Sequence, residues 1–249
     1  MAGTNRVRQQ ERKSRKSKKT VAEKHMENRI EEQKDKPIIA KTENQKKALA
    51  SFEENIISLL SGDAGSGKSY LASRWAAKEL RLGHIDKIVI ARPYVTMGKS
   101  VGLFPGDVRS KLGVFLLPLL NNIQAQLGRS YEYYLNSGEV EIHPLEAIRG
   151  MSFENCILII DEFQNTTPEE VKSIVTRIGE NCKLLLTGDK KQSDIRGKSG
   201  IVYLQEIVEK YDIKDVGIVT FTHDDIVRSG IVKEFVIAFD KEGDHGKKG

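Results

Sequence analysis

The sequence predicts an α/β domain built on a doubly wound, mainly parallel sheet. Three observations carry this expectation. Apolar runs of strand length recur along the chain with helical stretches between them, an alternation that packs as helices on both faces of one sheet. Two of the runs, C-I-L-I-I (156–160) and C-K-L-L-L-T (182–187), are almost unbroken in apolar residues, as strands covered on both faces must be. A chain of 249 residues, 39% hydrophobic and 30% charged, has the balance of one large globular domain.

The elements follow in order. Residues 1–20 carry eight Lys and Arg against Glu11 alone, a net charge of +7, whereas the whole chain is only +5. Such a stretch cannot bury an apolar face, so a disordered basic arm is expected, suited to polyanions. Residues 21–36 are polar and helix-permissive, and read as a linker helix. From residue 37 the composition changes, and one domain is expected over 37–240. A helix is expected over 43–54, then a strand at N-I-I-S-L-L (55–60). Leu71, Ala72, Trp75, Ala76 and Leu80 recur at helical spacing within 69–82. Strands are expected at 88–91, 140–143, 156–160, 182–187, 216–221 and 234–239. Helices are expected at 107–127, 168–178 and 199–210. Thr167-Pro168-Glu169-Glu170 marks a helix start, with Thr as cap, Pro in the first turn and acids after it. Residues 241–249 read as a flexible end.

Several classes are excluded. No run of about 18 apolar residues exists, so no segment is expected to span a bilayer. The basic N-terminus lacks the apolar stretch of a secretory signal. Cys156 and Cys182 are too few for a disulfide framework or a structural zinc site, and Cys156 opens an apolar run. Reduced, buried cysteines and a cytoplasmic location are the expectation.

Three segments carry chemistry. Gly62-Asp63-Ala64-Gly65-Ser66-Gly67-Lys68-Ser69 fits G-x-x-x-x-G-K-[ST] in full, after an apolar strand and before a helix. Its glycines let backbone N–H groups turn toward a phosphate. Lys68 is expected on the β- and γ-phosphates and Ser69 on Mg²⁺. In I-L-I-I-Asp161-Glu162, four apolar residues carry an acid pair to the carboxyl edge of the sheet, where ligands bind in such folds. Asp161 suits the hold on Mg²⁺, and Glu162 is placed to polarise a water. In L-L-L-T-Gly188-Asp189-Lys190-Lys191-Gln192 a strand ends in a polar turn whose Gln192 amide can face a γ-phosphate. No Asn-Lys-x-Asp follows a strand, so ATP is expected in preference to GTP. Gln45, ahead of the first site strand, could read an adenine edge through its amide.

The ordered motifs T-x-x-Q (42–45), G-D-A-G-S-G-K-S-Y-L-A (62–72), A-R-P (91–93), H-P-L-E-A-I-R-G (143–150), I-I-D-E-F-Q-N-T-T-P-E-E (159–170), L-L-T-G-D-K-K-Q-S-D (185–194) and D-D-I-V-R-S-G-I-V (224–232) resemble the PhoH-like family of ATPases. That family is related to the first motor domain of superfamily 1 helicases. The resemblance implies a single RecA-like P-loop NTPase domain, ATP hydrolysis with Mg²⁺, and action on RNA or single-stranded DNA. It also implies that Asp161, Glu162, Gln192 and Arg228 hold functional positions. Phe163 departs from the pattern, as does I-R-G-K-S-G after Asp194. The compact form with a basic arm resembles phage-encoded members.

Arg92 and Tyr94, after the strand at 88–91, offer a cation and an aromatic for a nucleic-acid strand, and Arg149 is a further candidate. Superfamily 1 motors place ATP between two domains, the second supplying an arginine. With one such domain here, a head-to-tail homo-oligomer, such as a hexameric ring, is expected, with Arg228 completing a neighbour's site. Two other readings share the phosphate loop: a small-molecule kinase, disfavoured by an acid pair suited to activating water, and an ATP-gated binding module with little turnover.

Overall fold

The computed structural model describes residues 37–93 and 108–246. The basic arm, the linker helix expected over 21–36 and Tyr94 lie outside these. The described chain runs α1 (Glu43–Glu54), β1 (Ile57–Gly62), α2 (Lys68–Leu82), β2 (Lys87–Arg92), α3 (Val108–Leu127), α4 (Tyr131–Asn136), β3 (Val140–Pro144), α5 (Leu145–Ile148), β4 (Cys156–Ile160), α6 (Pro168–Val175), β5 (Cys182–Gly188), α7 (Gly200–Tyr211), β6 (Val216–Phe221) and α8 (Gly230–Gly246).

The six strands form one sheet in the order β3-β2-β4-β5-β1-β6, and every pairing is parallel. Strand β5 therefore separates β1 from β4, with Leu185 opposite Ser58 on one side and Ile159 on the other. Consecutive β1 and β2 are not neighbours. The loop after β1, the acids after β4 and the turn after β5 consequently open side by side at one carboxyl edge, the place where a sheet whose strand order switches leaves a crevice.

Alternation along the buried strands feeds two cores. Leu60, Ile88, Ile90, Ile157, Ile159 and Leu185 face one side, with Phe52 of α1, Trp75 of α2 and Leu116 and Ile123 of α3. Leu59, Val89, Leu158, Ile160, Leu184 and Leu186 face the other, with Val171 and Ile174 of α6 and Ile201 and Leu204 of α7. Each such side chain contributes roughly 1.5–3 kcal/mol when fully buried, and this two-sided burial makes the strands read as unbroken apolar runs. Cys156 and Cys182, both free and buried, are opposite one another across β4 and β5. Tyr131 and Tyr134 pack into the first core.

Local signals set the helix starts. Thr167 caps α6 in a reciprocal box with Glu170, with Pro168 in the first turn. Thr42 caps α1 by accepting from the Gln45 N–H at 3.2 Å.

The strand expected over 234–239 is corrected: those residues lie within α8. Short apolar runs fit either element. Here Ile231, Phe235 and Phe239 fall four apart, on one stripe of a helix, and the Phe235 and Phe239 rings meet at 5.7 Å. The helix continues to Gly246, through residues expected as a loose end. Among the described residues, no helix is long and apolar enough to cross a membrane.

Candidate active site

The site begins where β1 ends. Gly62 leaves the strand at φ 138°, and a Cβ there would stand 2.0 Å from the Phe221 carbonyl oxygen of β6. Only a residue without a side chain lets the two strands run this close. Gly67 then caps α2 in the left-handed region at φ 90°. The first turn of α2 has N–H groups without helical acceptors, a ready place for an anion. The Ser66 hydroxyl donates to the Asp63 carbonyl at 2.7 Å and braces the loop from inside.

Lys68 lies folded back over this loop. Its Nζ donates to the carbonyls of Gly62 at 2.7 Å and Asp63 at 2.8 Å, and to Ser66 Oγ at 3.2 Å. Burial lowers its pKa, against the opposing pull of Asp189, Asp63, Asp161 and Glu162. A buried cation held only by neutral oxygens gains from anionic ones, because charge-assisted hydrogen bonds are the stronger kind.

The acids enter from β4. Asp161 Oδ1 accepts from Ser69 Oγ at 3.1 Å and from Thr187 Oγ1 at 2.7 Å. Its Oδ2 faces Arg92 Nη1 at 3.4 Å. Glu162 stands at φ 54°, in the left-handed region. One of its carboxylate oxygens faces Arg92 Nη2 at 3.4 Å, and the other accepts from the Gln164 amide. The Ser69–Asp161 pair is a set of hard oxygens that fits Mg²⁺, which is usually held by one or two protein oxygens together with phosphates and waters.

The turn after β5 forms the third wall. Asp189 accepts from the Lys191 N–H and from Gln192 Nε2, both at 3.0 Å, and burial raises its pKa. Lys68, Ser69, Asp161, Glu162, Gln192 and Arg228 all line one cavity of about 290 Å³, with Ala64, Gly65 and Gly67 on its floor.

Four expected site residues land differently. Arg228 lies against the loop of its own chain: the Val227 N–H donates to the Gly65 carbonyl at 3.2 Å, and a Cβ on Gly65 would meet Arg228 Nε at 2.9 Å. The fold thus brings this arginine to the phosphate loop of its own chain. Gln45 is 2% exposed. Its Nε2 donates to the Ser66 carbonyl at 2.9 Å and its Oε1 accepts from the Lys41 N–H at 2.6 Å, so it buttresses the loop and presents no free amide to an adenine. The Asp63 carboxylate points to Lys191 at 2.9 Å and His223 at 2.8 Å, leaving only its backbone to the phosphate cradle. Arg92 is turned onto the acid pair and the Phe115 carbonyl and ring.

Arg149 lies away from the cavity and pairs with Glu170 at 2.8 Å. Thr187, Asp189 and Gln164 are part of the site and were not singled out from sequence. The signal was present: each sits in or beside a polar stretch that ends an apolar strand at the ligand-binding edge.

A phosphate loop after β1, an acid pair after β4 and β5 between them make this a RecA-like P-loop NTPase fold. Curated relatives include the PhoH-like protein of Bacillus subtilis (strain 168), 36% identical over 212 residues, covering 84% of this chain and 66% of that protein. Protein PhoH of Escherichia coli (strain K12) is 34% identical over 209 residues, covering 82% of this chain and 58% of that protein. The chain thus spans less than two thirds of the length of these relatives. Among solved structures, the UvsW helicase of bacteriophage T4 superposes with a TM-score of 0.45 at 15% identity, covering 75% of this chain and 61% of that one. The family model described as PhoH-like protein matches residues 37–240, the stretch that holds the phosphate loop, the acid pair and the arginine against them. The chain belongs to the PhoH-like protein family.

Proposed function

We propose that this protein hydrolyses ATP and couples turnover to RNA or single-stranded DNA. The observation that supports hydrolysis best is the meeting of Ser69 and Asp161 at 3.1 Å across 92 residues of sequence, with Glu162 in the same cavity. Lys68 and the loop N–H groups hold the phosphates. Mg²⁺, held by Ser69 and Asp161, would neutralise charge on the β- and γ-phosphates. Glu162 takes a proton from water as its oxygen bonds to the γ-phosphorus. The bond from that phosphorus to the bridging oxygen breaks, and ADP and phosphate leave. Gln192 and Arg228 face the same cavity and stabilise charge on the transferred group. A kinase must keep water from this position, so a carboxylate here favours hydrolysis.

The polynucleotide half of the proposal rests on the +7 arm of residues 1–20 and on the family resemblance. The soluble, cytoplasmic setting proposed for it agrees with two cysteines that are free and buried. The test is phosphate release from ATP, titrated with single-stranded RNA and with single-stranded DNA. Turnover that rises with either polymer supports the coupling. Tight ATP binding with negligible turnover under every condition would replace an enzyme with an ATP-gated binding module.

A further inference from the structure

Gln164 occupies the short 3-10 turn Phe163–Asn165 immediately after the acid pair and is 1% exposed. A side-chain amide this buried must be hydrogen-bonded at both ends. Its Nε2 donates to Glu162 Oε2 and, at 3.5 Å, to the Gln192 carbonyl. Its Oε1 accepts from the Asp189 N–H at 3.0 Å. One amide thus touches the carboxylate that acts on water and two points of the turn that carries Gln192.

Gly188 shows how closely the chain is fitted around this bridge. A Cβ there would stand 2.4 Å from Gln164 Oε1 and 3.1 Å from the Gln164 backbone nitrogen. The strand end approaches the amide so closely that any side chain would push it away. Other bonds tie the same two segments together: the Ser193 hydroxyl donates to the Gln164 carbonyl at 3.1 Å, and the Asp194 N–H to Asn165 Oδ1 at 2.8 Å. Those bonds bypass Glu162. Gln164 alone among them reaches it.

We propose that Gln164 is a positioning residue for hydrolysis, holding the Glu162 carboxylate toward the cavity and locking its orientation to the turn that bears Gln192. The base and the phosphate-facing amide then move as one unit. This rests on the hydrolytic reading of Glu162. Glu162 has left-handed backbone that few side chains adopt without support, and its carboxylate is gripped from both sides, by Gln164 and by Arg92. A glutamine suits the bridge because it donates to one neighbour while accepting from the other. A glutamate could accept from the Asp189 N–H but would set a second carboxylate against Glu162.

The experiment measures ATP turnover against ATP concentration for the full chain, with ATP affinity by calorimetry, in Gln164→Leu, Gln164→Glu, Gly188→Ala and Glu162→Gln. Loss of the grip in Gln164→Leu is expected to lower kcat by about 10–100-fold, the scale of a catalytic group misplaced by an ångström, with Kd for ATP within about twofold. Gly188→Ala follows it. Gln164→Glu is nearly isosteric and keeps the acceptor for the Asp189 N–H but has no donor for Glu162, so it is expected to lower kcat as Gln164→Leu does, again with Kd within about twofold. A purely structural role would lower kcat and ATP affinity together, or be met equally well by glutamate. Full turnover in Glu162→Gln would reject the hydrolytic reading itself. An inactive Glu162→Gln beside Gln164→Glu with the wild-type kcat would reject the positioning role and leave the hydrolytic reading standing. If Gln164→Leu fails to fold, Gln164→Glu decides alone.

Discussion

Replacing Glu162 with Gln removes a proton acceptor while keeping the shape of the side chain. The structural cost is small. The contact with Arg92 is long at 3.4 Å, between side chains 24% and 35% exposed, and pairs of that kind contribute roughly 0–1 kcal/mol. The carbonyl of the new amide can still accept from Gln164. Folding should therefore weaken by about 1 kcal/mol at most, a melting shift of roughly 2–4 °C for a domain of this size. The kinetic cost is larger. Loss of a general base lowers kcat by about 10²–10⁴-fold, equivalent to roughly 3–5 kcal/mol on the barrier. Lys68→Ala should behave in the opposite way: it removes a donor that meets phosphate before any chemistry, so ATP affinity falls first. The assay is steady-state phosphate release beside calorimetric titration with Mg²⁺ and ATP, and a thermal melt for each variant. Equal loss of affinity in both variants, or a Glu162→Gln melt lowered by ten degrees or more, would refute the catalytic assignment of Glu162.

Lys68 has a pKa lowered from 10.5 mainly by burial, and a triphosphate beside it raises that pKa again. Nucleotide binding should therefore take up a proton at alkaline pH, and affinity should fall as pH rises above the lowered value. Calorimetry in two buffers of different ionisation heat reads this directly, and a heat independent of the buffer would contradict it. Gly62→Ala puts a Cβ 2.0 Å from a backbone oxygen at φ 138° and should cost about 3 kcal/mol or more in denaturant unfolding; a loss below about 1 kcal/mol would show that the close approach of β1 and β6 can relax. Arg228→Ala should lower kcat by about 10³-fold or more if it acts as an arginine finger. Because it lies on its own chain's loop, mixing Arg228→Ala with Glu162→Gln subunits should not restore turnover, and recovery on mixing would return the arginine to a neighbouring subunit. Deleting residues 1–20 should flatten the dependence of log affinity for single strands on log salt by about 0.7 per lost phosphate contact, with basal turnover unchanged; an unaltered slope would make the arm a bystander.

The sequence by itself determined the parallel sheet and the three segments that meet at its edge. Two-sided burial writes a strand as an unbroken apolar run, and a phosphate loop needs small residues and a lysine at fixed local spacing, so β4, β5 and residues 62–69 were readable directly. The same logic failed at 234–239, where an isolated apolar run fits a strand or a helical stripe equally and the folded chain carries it within α8. Which side chains meet was decided by the tertiary structure. Arg92 follows β2 and could reach a nucleic-acid strand by position alone, yet the β2–β4 pairing sets it against Asp161 and Glu162. Arg228 lies 163 residues from Gly65 in sequence, and only the pairing of β6 with β1 returns it to its own loop. Gln45, Gln164 and Thr187 hold the site through hydrogen bonds between distant segments. Such bonds leave no periodic or local mark in a chain, because their partners are chosen by the sheet order and not by sequence spacing.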